Sequence, residues 1–322
     1  MNHLLQQLAG SGWTQVVNAL LHTLWQGAIL SVALGIAFRR LTAPTLRYRC
    51  GLAALVAIFA GGLLTWAVLN SSDVKPTAAI ASNNLISKPV EVGQLGEPET
   101  VVVVRGTKVE TVKPPRWTAW LALVWLTGAG AMLARAGAQV AGAGWLRRSC
   151  RPLEDSRVAA LAAEAQRAVK LTRQVRIAVT DKLTSPAVVG VLVPTLILPL
   201  SLVTTLTPEQ LRFILLHELA HIRRGDYLAN LFQLFAEALL FFNPAVWWIS
   251  HQIRREREAC CDALAIDLSG APADYARTLV HVAESILTPP PVAAPAFGDR
   301  QHEPSSLADR VQRLLVPGYR PA

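Results

Sequence analysis

Hydrophobic and polar positions divide the chain into stretches suited to different surroundings. Residues 16 to 38, "VVNALLHTLWQGAILSVALGIAF", form an apolar run of 23 residues. About 20 apolar residues are enough to cross a bilayer as a helix. Asn18, His22 and Gln26 recur every four residues in it, so they share one helix face. Polar groups in lipid turn toward protein or water. That face therefore bonds a neighbouring helix, or His22 serves a proton or metal. Residues 51 to 69, "GLAALVAIFAGGLLTWAVL", form a second span. A third runs from 117 to about 146, is rich in Gly and Ala, and is interrupted by Arg135. It either tilts, or leaves the bilayer near Arg135 and continues as a helix in the cytosol.

The pattern changes beyond residue 150. "SRVAALAAEAQRAVKL" has the period of an amphipathic helix, and "QVRIAVTD" alternates like a strand. "SPAVVGVLVPTLILP" reads as a second strand or a hairpin, with Pro194 at an edge or turn. "TPEQ" then opens a helix: Thr207 caps, Pro208 suits the first helical position and Gln210 completes a capping box. Residues 227 to 242 are helical and very apolar, Asn243-Pro244 breaks the run, and a further helix follows to Gly270. Paired Phe and Trp at the break suit a membrane-contacting surface or a packed core. The predicted organisation is a membrane domain over 1–150, a second domain over 151–287, and a Pro-rich tail over 288–322.

Composition sharpens this picture. Charged residues are 16% of the chain, below the roughly 25% of soluble proteins. The net charge is +9, but the basic residues stand at the ends of apolar runs rather than along one helix face, so direct nucleic-acid binding is not expected. The connector between the first two spans holds Arg39, Arg40, Arg47 and Arg49, and the N-terminal flank holds no Lys or Arg. The positive-inside rule then puts the N-terminus outside and the connector in the cytosol. The 70–116 loop is external, and "ETVVVVRGTKVETV" within it could form a hairpin. Three crossings leave residue 150 and the second domain in the cytosol, where Arg147, Arg148 and Arg151 agree. Cys50, Cys150, Cys260 and Cys261 make no CxxC pair, and reduced thiols are expected. The first twelve residues lack the positive charge of a secretory leader.

The chemistry centres on "HELAHIRRGD", 217 to 226. A helix brings His217 and His221 to one face, where their imidazoles can hold one metal ion. Glu218 can lean over the same site as the general base. Catalytic zinc takes three protein ligands. "REREACCD" supplies the third: Glu258 as ligand, with Asp262 four residues on to accept the free N–H of a ligating histidine. Glu256 points elsewhere. Two alternatives stay open. These acids could instead pair with Arg254, Arg255 and Arg257, and Cys261 could replace Glu258 as ligand.

The chain resembles the BlaR/MecR-type membrane zinc metallopeptidases, antirepressor signal transducers of bacteria. The resemblance rests on "LLHTLWQGAIL", "RYRCGLAAL", "SPAVVGVLVPTLILP", "HELAHIRRGD", "FFNPAVWW" and "REREACCD", in that order. It implies an α-helical membrane protein whose cytosolic α+β domain is gluzincin-like. It implies Zn2+ on His217, His221 and Glu258, with Glu218 as base. It further implies a bacterial inner-membrane protein that cleaves a cytosolic repressor-like protein, and itself. Other readings are a quality-control membrane peptidase resembling the HtpX type, and a receptor or scaffold that does not cleave. Receptors of the family commonly continue through a fourth span into an external sensor. This chain ends at "RLLVPGYRPA", where that span would begin, and no penicillin-binding sensor with its SxxK motif is recognisable. The expectation is a partner as sensor, self-association, or a longer parent chain.

Overall fold

The structure is a computed structural model that describes residues 8, 10–72, 116–190, 193–287, 304–316 and 319. The hairpin expected around Arg105 lies outside these residues. Three long helices come first: α1 (Ser11–Arg40), α2 (Pro44–Ser72) and α3 (Arg116–Ser149). All three are long and apolar enough to cross a membrane. Each runs past the apolar stretch that predicts it, because hydropathy marks the hydrocarbon part and a helix continues into the interface. Arg135 does not break α3, which runs as one helix of 34 residues.

The remainder is a small sheet among helices: β1 (Arg151–Pro152), α4 (Ser156–Ala168), β2 (Arg176–Thr180), β3 (Ala187–Val189), β4 (Thr195–Pro199), α5 (Leu200–Thr205), α6 (Pro208–Arg224), α7 (Asp226–Leu239), α8 (Pro244–Ser269), α9 (Pro272–Leu287) and α10 (Pro304–Leu315). The sheet order is β1-β2-β4-β3. β3 and β4 form the antiparallel hairpin, and β4 returns parallel to β2 with Ala178 opposite Ile197. Pro194 falls just before β4, where a missing N–H costs no ladder bond, and its carbonyl accepts from the Arg176 amide at 3.0 Å. The two-residue β1 and the short α5 carry too few residues to show a period.

Two apolar cores meet at α8. One gathers Leu215, Leu216 and Leu219 of α6, Leu196 and Leu198 of β4, and Ala265 of α8. The other joins Leu55 and Ile58 of α2 to Val246, Ile249 and Ile253 of α8. In the first core each fully buried Leu contributes about 1.5–3 kcal/mol by leaving water; in the second, close packing takes that role, because lipid is as apolar as the side chains. α8 is thereby clamped between the long apolar helices and the sheet-containing part. The break at Asn243-Pro244 is a helix start: the Asn243 side chain accepts from the Ala245 amide at 3.0 Å. Its amide nitrogen donates to the Thr23 carbonyl of α1 at 2.9 Å. Trp125 of α3 donates to the Leu239 carbonyl at 2.8 Å. The turn from α7 to α8 therefore sits between α1 and α3. On α1, Gln26 donates to Thr65 of α2 at 3.1 Å, and His22 accepts from Trp25 at 2.9 Å. The bonding of Gln26 to a neighbouring helix is the simpler of the two uses open to that face.

Candidate metal centre

α6 sets out from the predicted capping box, Thr207 with Gln210, with Pro208 in its first turn. Its buried face carries Leu215, Leu216 and Leu219, which fixes the rotation of the helix. That rotation turns His217 and His221 toward α8. The two Nε2 atoms face each other at 3.2 Å. Glu258 of α8 reaches both: Oε2 lies 3.4 Å from His217 Nε2, and Oε1 lies 3.7 Å from His221 Nε2. Ligand atoms of these three residues lie within 4.8 Å of one another. Glu218 is half-buried on the wall of a cleft of about 2220 Å³ that also exposes His217, His221 and Glu258. The C-terminal half of α3, from Met132 to Leu146, also lines the cleft.

The outer ring nitrogens are held by acids. Asp262, one turn after Glu258, puts Oδ1 3.1 Å from His217 Nδ1. Tyr275 of α9 lies 2.9 Å from the same nitrogen and donates to Asp262 Oδ1 at 2.7 Å. Arg310 of α10 forks onto Asp262 at 2.7 and 2.9 Å, and lies 3.7 Å from Glu258. His221 Nδ1 meets Asp226 Oδ2 at 2.8 Å. Asp226 reaches it because Gly225 adopts a left-handed φ of 70°, which ends α6 and folds the first residue of α7 back. Asp226, Tyr275 and Arg310 were not singled out in the sequence. Only Asp226 left a signal there, as the residue after a helix-stop glycine.

The geometry bears on both alternatives left open in the sequence. Arg254 pairs with Glu237 at 2.6 Å, Arg255 pairs with Asp309, and Arg257 alone nears a site acid, at 3.8 Å from Glu258. Glu256, fully buried, points away to Arg47 and Arg313. Cys261 is buried 3.3 Å from His221 Nδ1 and, with Asp226, forms a second group that shares His221 through that nitrogen. Burial pushes its thiol well up, and it faces the Nδ1 edge of His221, away from the point where the two Nε2 atoms and Glu258 converge.

Do the residues fit a cation? Acceptors on Nδ1 favour the Nδ1–H tautomer in both rings, so two Nε2 lone pairs and a carboxylate converge on one point. Glu258 Oε1 is buried and takes no hydrogen bond among the described residues. Something positive belongs there. Without a metal, a proton can stand in. Burial pulls the His217 imidazolium down, but its bonds to Asp262 and Glu258 prevail and push it up to about 9. Burial also raises the Glu258 carboxyl, and the two histidines with Arg310 outweigh it and hold it well below its usual range. Two imidazoles, one carboxylate and an open cleft make a donor set suited to a catalytic divalent ion.

Long apolar helices joined to a buried two-histidine, one-carboxylate cluster define a membrane protein with a candidate metal centre. The family described as BlaR1 peptidase M56 matches residues 16–314, and the chain belongs to it. Regulatory protein BlaR1 of Bacillus licheniformis is 27% identical over 139 residues, covering 43% of this chain and 23% of that protein. The methicillin resistance mecR1 proteins of Staphylococcus aureus (strain Mu50) and Staphylococcus epidermidis are each 26% identical over 90 residues, covering 28% of this chain and 15% of theirs. The chain thus matches less than a quarter of the length of each relative.

Proposed function

We propose that the chain is a membrane-embedded zinc endopeptidase of a signalling system, with a gluzincin-like catalytic domain facing the cytosol. Its substrate is a cytosolic repressor-like protein. The observation that carries this reading is the convergence of His217, His221 and Glu258, each imidazole backed by an acid, on a cleft that Glu218 also lines. Those three residues would hold Zn2+, which would supply Lewis acidity toward water and the scissile carbonyl. Asp262 and Asp226 keep the Nδ1 protons on His217 and His221 and so point both Nε2 atoms inward. Glu218 accepts the proton of the attacking water on its carboxylate and delivers it to the departing amine. The inner half of α3 keeps the peptide against this wall. The arginines between α1 and α2 support the cytosolic placement.

Glu218→Gln keeps the shape and removes the proton acceptor. Zinc should stay bound, and cleavage of the repressor, or of the chain itself, should fall by at least about 10²-fold. Loss of zinc would show that Glu218 is misassigned. Full signalling by the Glu218→Gln variant, which has no base at this position, would leave a non-cleaving receptor instead.

A further inference from the structure

The stretch "RYRCG", 47 to 51, opens the second apolar run, and the proposed chemistry gives it no part. In the structure it is where α2 touches the catalytic helices. Arg47 pairs with Glu256 Oε1 at 3.1 Å. Glu256 is fully buried, sits two residues before Glu258 on α8, and takes a second fork from Arg313 at 2.9 and 3.1 Å. The Tyr48 hydroxyl donates to Asp226 Oδ1 at 3.3 Å, while the other oxygen of Asp226 holds His221 Nδ1 at 2.8 Å. Arg224 lies over the Tyr48 ring at 4.6 Å and reaches both Asp226 oxygens at 3.4 Å. Gly51 lets the backbones close up: a Cβ there would stand 2.9 Å from Ile253 Cγ1 of α8.

We propose that Tyr48, at the inner end of α2, is a positioning residue for the metal ligand His221, acting through Asp226. Arg47 steadies the Glu258 helix in the same way through Glu256. The proposal rests on the metal reading above. A carboxylate that holds a histidine by one oxygen can still swing about its Cβ–Cγ bond. A donor on the other oxygen stops that swing, and with it the rotation of the imidazole. Arg224 reaches that oxygen at 3.4 Å from the end of α6 itself, and Tyr48 adds a donor at 3.3 Å from a helix that belongs to the membrane part. A tilt or slide of α2 would therefore change the hold on His221 directly, which gives an event at the outer face a route to the site. This is coupling through defined contacts and needs a measured coupling to stand.

The test uses the full chain in detergent, loaded with zinc, and reads zinc release to a chelator. Removing a partner that orients a metal ligand typically costs 10- to 100-fold in affinity. Asp226→Asn should fall in that range, and Tyr48→Phe, one bond further out, should speed release by about 5- to 10-fold. Tyr48→Phe keeps the ring under Arg224, so thermal stability should hold. Combined with Asp226→Asn it should add nothing, because both act on one contact. Leu46→Ala, an exposed change in the same turn, should release zinc at the wild-type rate and report any general loosening of α2. Wild-type release in Tyr48→Phe, full additivity in the double variant, or an equal effect of Leu46→Ala would each overturn the proposal. Absence of zinc from the wild type would overturn the metal reading beneath it, and that outcome is visible before any variant is made.

Discussion

Replacing Asp262 by Asn changes one atom and should act on both folding and metal binding. Asp262 is 2% exposed and accepts four contacts: Tyr275 at 2.7 Å, two arms of Arg310 at 2.7 and 2.9 Å, and His217 Nδ1 at 3.1 Å. All four are donors. Asparagine can meet those on one oxygen, but its NH2 must then face a donor on the other side. The best rotamer keeps Tyr275 and His217 and opposes the Nε–H of Arg310. The guanidinium then keeps only Glu258, 3.7 Å away, as an acidic neighbour in the site. Removing one member of a buried ion pair costs about 3–5 kcal/mol. The Arg310 side chain is 14% exposed, so water relieves part of this and about 3 kcal/mol is the expected loss. His217 also faces a neutral amide where it had a carboxylate, which should weaken zinc by about 10- to 100-fold. Chemical unfolding of the metal-free protein in detergent isolates the first effect, and chelator competition isolates the second. Adding Arg310→Gln should recover stability, since no buried charge is left alone, but should not recover zinc. Zinc affinity in Asp262→Asn within twofold of wild type would refute the claim that Asp262 holds His217. Unchanged stability would refute the pairing with Arg310.

Three further outcomes are expected. In the metal-free protein His217 is pushed up to about 9, so it carries a proton at neutral pH that zinc must displace. Affinity should therefore strengthen by about tenfold per pH unit from about 6 toward 9, and a flat profile in competition titrations would show that His217 carries no proton for zinc to displace. Gly128→Val would push a Cβ to 2.3 Å from Phe241 Cζ, in the turn between α7 and α8. It should lower stability by about 1–3 kcal/mol, read as an earlier thermal transition, and an unchanged transition would show that the turn is not seated against α3. Val90→Cys should react with an impermeant thiol reagent in intact cells, whereas Leu200→Cys, at an exposed position, should react only after permeabilisation. Labelling of both from one side would sink the proposed topology.

The elements that were legible from sequence are those whose signal is local. The three apolar runs, the capping box of α6, the hairpin with Pro194 beside it, and the four-residue spacing of His217 with His221 and of Glu258 with Asp262 each lie within one turn or one strand. The structure brings these last four side chains together on facing helices. What was not legible is contributed across the chain. Arg310 lies 48 residues from Asp262 in a tail marked in the sequence only as Pro-rich. Tyr275 stands on α9, just past Gly270, where the reading of the helices stopped. Tyr48 meets Asp226 across 178 residues. Periodicity cannot report such contacts, because an arginine or tyrosine on a solvated face and one aimed into a site have the same spacing.

On the topology proposed above, the depth of the α7–α8 turn places the candidate site. Thr23, which bonds Asn243, is 7 residues into the apolar run that starts at residue 16, or about 10 Å at 1.5 Å per residue. A hydrocarbon core is about 30 Å thick, so with that run spanning it the turn stands about a third of the way across. The groups there fit that depth: Asn243, the Thr23 carbonyl, Trp125 and the Leu239 carbonyl satisfy one another within the protein, as lipid demands. Going inward along α8, residues 244–253 carry no Asp, Glu, Lys or Arg, and the charges begin at Arg254. That is 11 residues, or about 16 Å, from the turn, close to the inner edge of the hydrocarbon. Glu237 of α7, the acid nearest the turn, is paired with Arg254 at 2.6 Å rather than left to the lipid. Glu258 follows one turn later, at about 22 Å, just beyond the edge of the hydrocarbon. On the topology proposed above, the candidate metal centre falls at the inner surface of the bilayer, and α3 lines the cleft over it. A catalytic domain cut free of α1–α3 would lose that wall, the bond from Tyr48 to Asp226, and the apolar partners of Val246, Ile249 and Ile253 on α8. The helix that carries Glu258 is held as much by the membrane part as by the sheet, so the site is a property of the whole chain.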